Sequence, residues 1–72
     1  MLRNLGNNKV EVTTKAGAVV LYSYNTPVAA LVNGAYYRTS KKWSVTTSKH
    51  IGQWLDGVRA EEKEQGFFDA LV

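Results

Sequence analysis

Seventy-two residues with no cysteine and one histidine make at most a single small domain, residues 1–72, and remove two common staples of such domains, the disulfide and the structural zinc site. The hydrophobic share of 44% is that of a folded chain, and no apolar run approaches the roughly 20 residues needed to cross a bilayer. Net charge is +3, with an asymmetry inside it: residues 1–50 carry seven Lys/Arg against Glu11 alone, and residues 51–72 carry two against five carboxylates. A basic front and an acidic back fit an anion-binding face, head-to-tail charge complementarity or a plainly solvated surface. The stretch from Met1 to Asn8 lacks the apolar segment of a secretory signal, so the expectation is a cytoplasmic protein with no membrane partner. With its core so thin, self-association is expected to supplement it, as a homo-oligomer with a dimer favoured.

Taken in chain order, Lys9 to Lys15 alternates polar and β-branched residues and predicts a strand. Ala16-Gly17 predicts a two-residue turn into a partner strand, Ala18 to Tyr24, pairing Val12 with Leu21. Val10, Val12, Val19 and Leu21 then share a core face. Val20, Tyr22 and Tyr24 line the other face, which helices on one side only would leave uncovered, and this stripe is the expected oligomer interface. Asn25-Thr26-Pro27 interrupts the strand, because proline cannot donate to a ladder. Val28 to Val32, Asn33-Gly34 and Ala35 to Thr39 form the strongest hairpin signal, with Leu31 facing Tyr36 and Ala29 facing Arg38. Trp43 to Thr46 reads as a fifth strand, followed by a helix from about Ser48 to Asp56 capped by Thr47-Ser48 and stopped by Gly57. Arg59 to Leu71 reads as a second helix weakened by Gly66. The predicted class is α+β: a small antiparallel β-meander of four to five strands, with one or two C-terminal helices packed on one face.

Catalysis finds little support. No cysteine nucleophile exists, the carboxylates cluster in the charged run Glu61 to Glu64, and a Ser48/His50 pair lacks an orienting acid. The chain is therefore expected not to be an enzyme, and to need no cofactor and no metal. The densest chemistry lies between Tyr36 and His50. There Tyr36, Tyr37 and Trp43 offer rings for stacking, and Arg38, Lys41, Lys42 and Lys49 offer charge. Thr46, Thr47, Ser48 and His50 add donors at the expected start of a helix, where free amides favour anions. A phosphorylated ligand, nucleotide or nucleic acid, is the expected occupant. The same residues also fit an ordinary framework of caps, core aromatics and a solubilising Lys-Lys turn, with His50 partly exposed beside Trp54.

Ser23-Tyr24-Asn25-Thr26-Pro27-Val28-Ala29-Ala30, then Asn33-Gly34, Tyr36 and Trp43-Ser44-Val45-Thr46-Thr47-Ser48-Lys49-His50-Ile51, resembles a family of very small uncharacterised proteins of phages, prophages and mobile elements. The resemblance spans roughly residues 22 to 55. It implies an accessory protein of host takeover or anti-defence, acting in the cytoplasm of the bacterial host, through a nucleotide or nucleic acid. The alternative is a protein-interaction module that inhibits a host protein through the Tyr22/Tyr24 sheet face and the acidic tail.

Overall fold

The computed structural model describes residues 2–6 and 8–71. It is a small α+β fold: β1 (Leu2–Gly6), β2 (Lys9–Thr13), β3 (Val19–Ser23), β4 (Thr26–Val32), β5 (Ala35–Thr39), α1 (Val45–Leu55), β6 (Glu61–Lys63) and α2 (Gln65–Asp69). The strands make one six-stranded sheet in the order β1-β2-β3-β4-β5-β6, antiparallel throughout except for the β5–β6 pair. A parallel pair needs a long crossover, and α1 supplies it. No helix among the described residues is long and apolar enough to cross a membrane.

Two strands lie beyond the expected meander. β1 carries no period-2 apolar alternation, and β6 is Glu-Glu-Lys, a sequence of low β propensity that suits a charged sheet edge. Its backbone is held by Tyr37, Arg38 and Thr39 of β5, its registered partners, and by Ser40 N–H donating to Lys63 O at 2.8 Å. The single helix expected over Arg59 to Leu71 is therefore replaced by β6 and a short α2, because tertiary pairing overrides local propensity. Five residues cannot sustain an isolated helix; α2 is held by Phe68, which is fully buried.

The fifth strand expected at Trp43 to Thr46 is not formed either. Ser44 is the N-cap, its Oγ accepting from Thr47 N–H at 3.1 Å, and α1 begins at Val45, three residues before the expected start. The stop is as expected: Asp56 (φ 48°) and Gly57 (φ 83°) take the left-handed conformation that closes α1. Thr47, His50, Ile51, Trp54 and Leu55 form the inward stripe, the spacing of one helical face.

The Asn33-Gly34 hairpin is as read from the sequence, with Leu31 opposite Tyr36 and Ala29 opposite Arg38, and both turn residues at positive φ. The β2–β3 register differs by one residue, so that Val12 faces Val20. The turn is longer than two residues: Thr14 N–H donates to Ala18 O (2.8 Å), Gly17 N–H donates to Thr14 O (3.0 Å), and Gly17 sits at φ 89°. Gly17 thus serves as the left-handed residue that follows a tighter turn, not as a turn centre. A one-residue slip reverses the faces. Val10 and Val12 belong with Val20 and Tyr22, whereas Glu11 belongs with Val19 and Leu21. Pro27 does not end the strand; it lies within β4 opposite Tyr22, beside a register irregularity at Leu21/Tyr22, and β5 begins its pairing only at Ala29.

The helices cover opposite faces of the sheet, not one. Leu21 and Ala29 pack with Ile51 and Leu55 of α1, and Val20 and Ala30 pack with Phe68 of α2. Val20 and its neighbours are therefore covered within the chain. β3 and β4 are sandwiched on both sides, which explains their nearly unbroken apolar run from Val19 to Tyr22 and from Pro27 to Val32.

Candidate functional site

The segment Ser40 to Ser44 crosses from β5 to α1 and is positioned by Gln65. Gln65 Oε1 accepts from Thr39 Oγ1 (2.9 Å) and from Trp43 Nε1 (3.3 Å), while Nε2 donates to Pro27 O (2.6 Å) and Asp69 Oδ1 (3.2 Å). An indole N–H can only donate and a peptide carbonyl can only accept, so these partners fix which end of the amide faces which way. The Trp43 ring, 41% exposed, is presented to solvent with Lys41 Nζ 4.2 Å from its centroid.

Between this segment, the end of β5 and the first turn of α1 lies a groove of about 330 Å³. Arg38, Lys41 and Lys42 bring three cations to it, against the single carboxylate of Glu62. Arg38 and Glu62 are paired in register on adjacent strands, yet Arg38 makes no ion pair among the described residues, and its Nε is buried without a hydrogen-bond partner. Such an atom carries the full desolvation cost of a missing bond, about 1–3 kcal/mol. Ser48 adds a hydroxyl to the lining, whereas the Ser44 hydroxyl is engaged within the cap, accepting from Thr47 N–H and donating to Thr47 Oγ1 at 3.3 Å. The first turn of α1 holds no acid, and the amides of Val45 and Thr46 have no intrahelical acceptor. On the other side of the Lys42–Ser44 strap is a hollow of about 450 Å³ floored by Ser23, Tyr24 and Thr26.

Of the ten residues expected to bind ligand, the groove gathers Arg38, Lys42, Trp43, Thr47 and Ser48. The others go elsewhere. Tyr36 and Tyr37 alternate to opposite sheet faces: Tyr36 meets Trp54 edge-on at 5.8 Å, and Tyr37 packs on Phe67 at 5.1 Å. Thr46 and Lys49 are exposed on α1 outside the groove. Thr47 is buried, its amide taken by the Ser44 cap. The helix therefore offers its free amides one turn earlier than Ser48-Lys49.

His50 is buried rather than half-exposed. Its Nδ1 lies 2.8 Å from Ser23 Oγ, which also lies 3.1 Å from Thr47 Oγ1, and its ring stacks on Tyr24 at 5.9 Å. Burial, and secondarily the charge of Lys9, lower the His50 pKa below its ordinary value, so the neutral imidazole is favoured. Its hydroxyl partner is Ser23, not Ser48. The signal that identifies Ser23 is its place two residues after Leu21, on the face that α1 covers, where a polar side chain needs a partner.

The expected oligomer stripe is also divided. Val20 is buried under α2, and Tyr22 is half-buried, its phenol pKa raised by burial and by nearby Asp69. Tyr24 is 51% exposed on a turn with its ring against His50, on the α1 side. Among the described residues no three His, Asp or Glu side chains come together in a way that could hold a metal ion.

No curated protein and no solved structure matches the chain. A family model covers residues 1–70, nearly the whole sequence. The chain belongs to that family, described as a family of unknown function (DUF8033).

Proposed function

We propose that the chain is a non-enzymatic accessory protein that binds a phosphorylated ligand, a nucleotide or a nucleic-acid strand, in the groove between Arg38 and the start of α1. The observation that carries the reading is Arg38. Arg38 lines the groove with no ion pair among the described residues, and its Nε is closed to solvent without a hydrogen-bond partner, so the guanidinium charge is uncompensated and its terminal N–H groups can donate to a phosphate in a charge-assisted, often bidentate manner. Lys41 and Lys42 add positive potential, Ser48 adds a donor, and Trp43 offers an exposed face on which a base can stack. The resemblance to phage and mobile-element proteins suits this reading, since host takeover and anti-defence both involve nucleotides and nucleic acids.

The test is calorimetry with pyrophosphate, ATP and a short thymidine oligonucleotide, on wild type, Arg38→Met and Lys49→Ala. A charge-assisted bond contributes about 1.5–3 kcal/mol, so Arg38→Met is expected to weaken binding roughly tenfold to a hundredfold. Lys49→Ala, outside the groove, is expected to change affinity less than about twofold. An oligonucleotide that binds best and loses affinity steeply with salt identifies the ligand as nucleic acid. If none of the three probes binds, or if Arg38→Met binds as wild type does, the proposal is wrong.

A further inference from the structure

At the opposite edge of the sheet, β1 has no neighbouring strand beyond it among the described residues, and a hollow lies behind it on each face, of mixed polarity on one and apolar on the other. On the α1 face a cavity of about 510 Å³ is floored by Leu5, Val19, Leu31, Tyr36 and Trp54, with Arg3 and Lys9 at the rim. On the α2 face a hollow of about 320 Å³ is formed by Leu2, Val10, Val12, Tyr22 and Asn25, with Tyr22 separating it from the Phe68 cluster of α2. An extended chain laid along β1 would send alternate side chains to the two faces, and so into both hollows.

The backbone at this edge is free in a definite pattern. Asn8 and Thr14 each make a backbone bond to the β3 side (Tyr24 N–H to Asn8 O, 3.0 Å; Thr14 N–H to Ala18 O, 2.8 Å). Even-numbered residues of β2 therefore face β3 and odd-numbered residues face β1. Arg3, opposite Glu11, bonds inward; Leu2 and Asn4 point their N–H and C=O groups outward. The edge ends at Gly6, whose N–H is taken by Asn4 Oδ1 at 2.7 Å beside a register break.

Charge selects the partner. The Glu11 carboxylate is already engaged, with Arg3 at 3.6 Å and with Trp54 Nε1 donating at 3.1 Å. Arg3, its side chain 73% exposed, and Lys9 outnumber Glu11 and leave the rim with one net positive charge. We infer that β1 is a docking edge for an extended polypeptide segment of another protein, which adds as a seventh, antiparallel strand. That segment has an acidic residue opposite Arg3, apolar residues on either side of it over Leu2 and Asn4, and a large apolar residue opposite Leu5. This is the protein-interaction function considered from the sequence, relocated from the Tyr22/Tyr24 face to the sheet edge.

The probe is an acetylated, amidated Phe-Val-Glu-Val peptide, titrated into the isotopically labelled full chain, with amide exchange and Trp54 indole shifts as readouts. Exchange of the Asn4 amide is expected to slow at least fivefold, with the Trp54 resonance moving. Phe-Val-Lys-Val, or the first peptide N-methylated at both valines, is expected to bind at least tenfold more weakly. Arg3→Glu should weaken the parent peptide at least tenfold while leaving the fold unchanged, since Arg3 is a surface residue. Equal binding of the lysine peptide, or binding without protection at Asn4, overturns the inference. So does a chain that sediments as a dimer with Asn4 already protected and that Arg3→Glu makes monomeric, because the occupant is then a second copy. Arg3 and Asn4 lie outside the Arg38 groove, so this outcome is independent of phosphate binding.

Discussion

Replacing Gln65 by glutamate tests the arrangement that holds the groove. In wild type the amide oxygen accepts two bonds and the amide nitrogen donates two, to Pro27 O and Asp69 Oδ1. Gln65→Glu keeps the shape and both accepting roles but turns a second oxygen toward a buried peptide carbonyl and a carboxylate. Gln65→Ala removes all four bonds and adds no repulsion. Thr39 and Pro27 are the buried partners, and losing those two bonds at about 1 kcal/mol each puts Gln65→Ala near 2 kcal/mol. Gln65→Glu keeps the Thr39 bond, loses the Pro27 bond and leaves two acceptors opposed, which costs about 3 kcal/mol. For a chain of this size each kcal/mol lowers Tm by about 4–8 °C, so losses of roughly 8–16 °C for alanine and 12–24 °C for glutamate are expected. The introduced carboxyl faces oxygen acceptors, so its pKa in the folded state is raised above the unfolded value near 4.3. Relative to Gln65→Ala, the glutamate variant should therefore recover at pH 4, where a protonated carboxyl can donate, and lose stability as pH rises through that folded pKa. Urea titrations followed by near-ultraviolet circular dichroism at pH 4 and pH 7 measure this. A Gln65→Glu chain as stable as Gln65→Ala at pH 7 would refute the assigned amide orientation.

Two further outcomes follow from residues already described. Because the His50 pKa is lowered in the fold, the unfolded chain takes up the proton first as pH falls below about 6.5, so stability present at pH 7.5 should decline toward pH 5; the decline should be largely absent in His50→Gln, and equal slopes for both chains would refute it. Gly34→Val should destabilise the chain by more than about 1 kcal/mol: Gly34 sits at φ 82° with open space where a Cβ would project, so the cost is backbone strain alone, and an unchanged urea midpoint would contradict the turn.

What was legible in the sequence was local chemistry. Asn33-Gly34 determines both the turn and the register of β4 on β5, since few other pairs accept two positive φ values in succession. The Asp56-Gly57 stop is local for the same reason. What escaped was set by distant parts of the chain. Glu61 to Lys63 becomes a strand only because β5 lies beside it, and α2 can form on the far face only after the chain has crossed the sheet edge. The β2–β3 register was missed because Gly17 fits both the centre of a short turn and the left-handed residue of a longer one; nothing within Lys15 to Ala18 decides between them. At the groove, Arg38, Lys41, Lys42, Trp43, Thr47 and Ser48 were recoverable from local density, whereas Ser44 comes in only with the true cap of α1. Tyr36 and Tyr37 could not both be in one site, since adjacent strand residues face opposite ways.

The connections of this fold differ in how much change they tolerate. Tyr24-Asn25 and Asn33-Gly34 are two-residue turns with both residues at positive φ, and lengthening either would move a buried strand out of register. Residues 40–43, which precede the Ser44 cap, are under no such register constraint, because α1 is seated by its own cap and apolar stripe. Insertions in 40–43 would reshape the rim that carries Lys41, Lys42 and Trp43 while leaving the sheet in place. The molecule is thus a rigid frame with one adjustable corner: grafted loops or randomised libraries at residues 40–43 would vary the shape and charge of the groove rim, and the same libraries at 24–25 or 33–34 would mostly yield chains that do not fold.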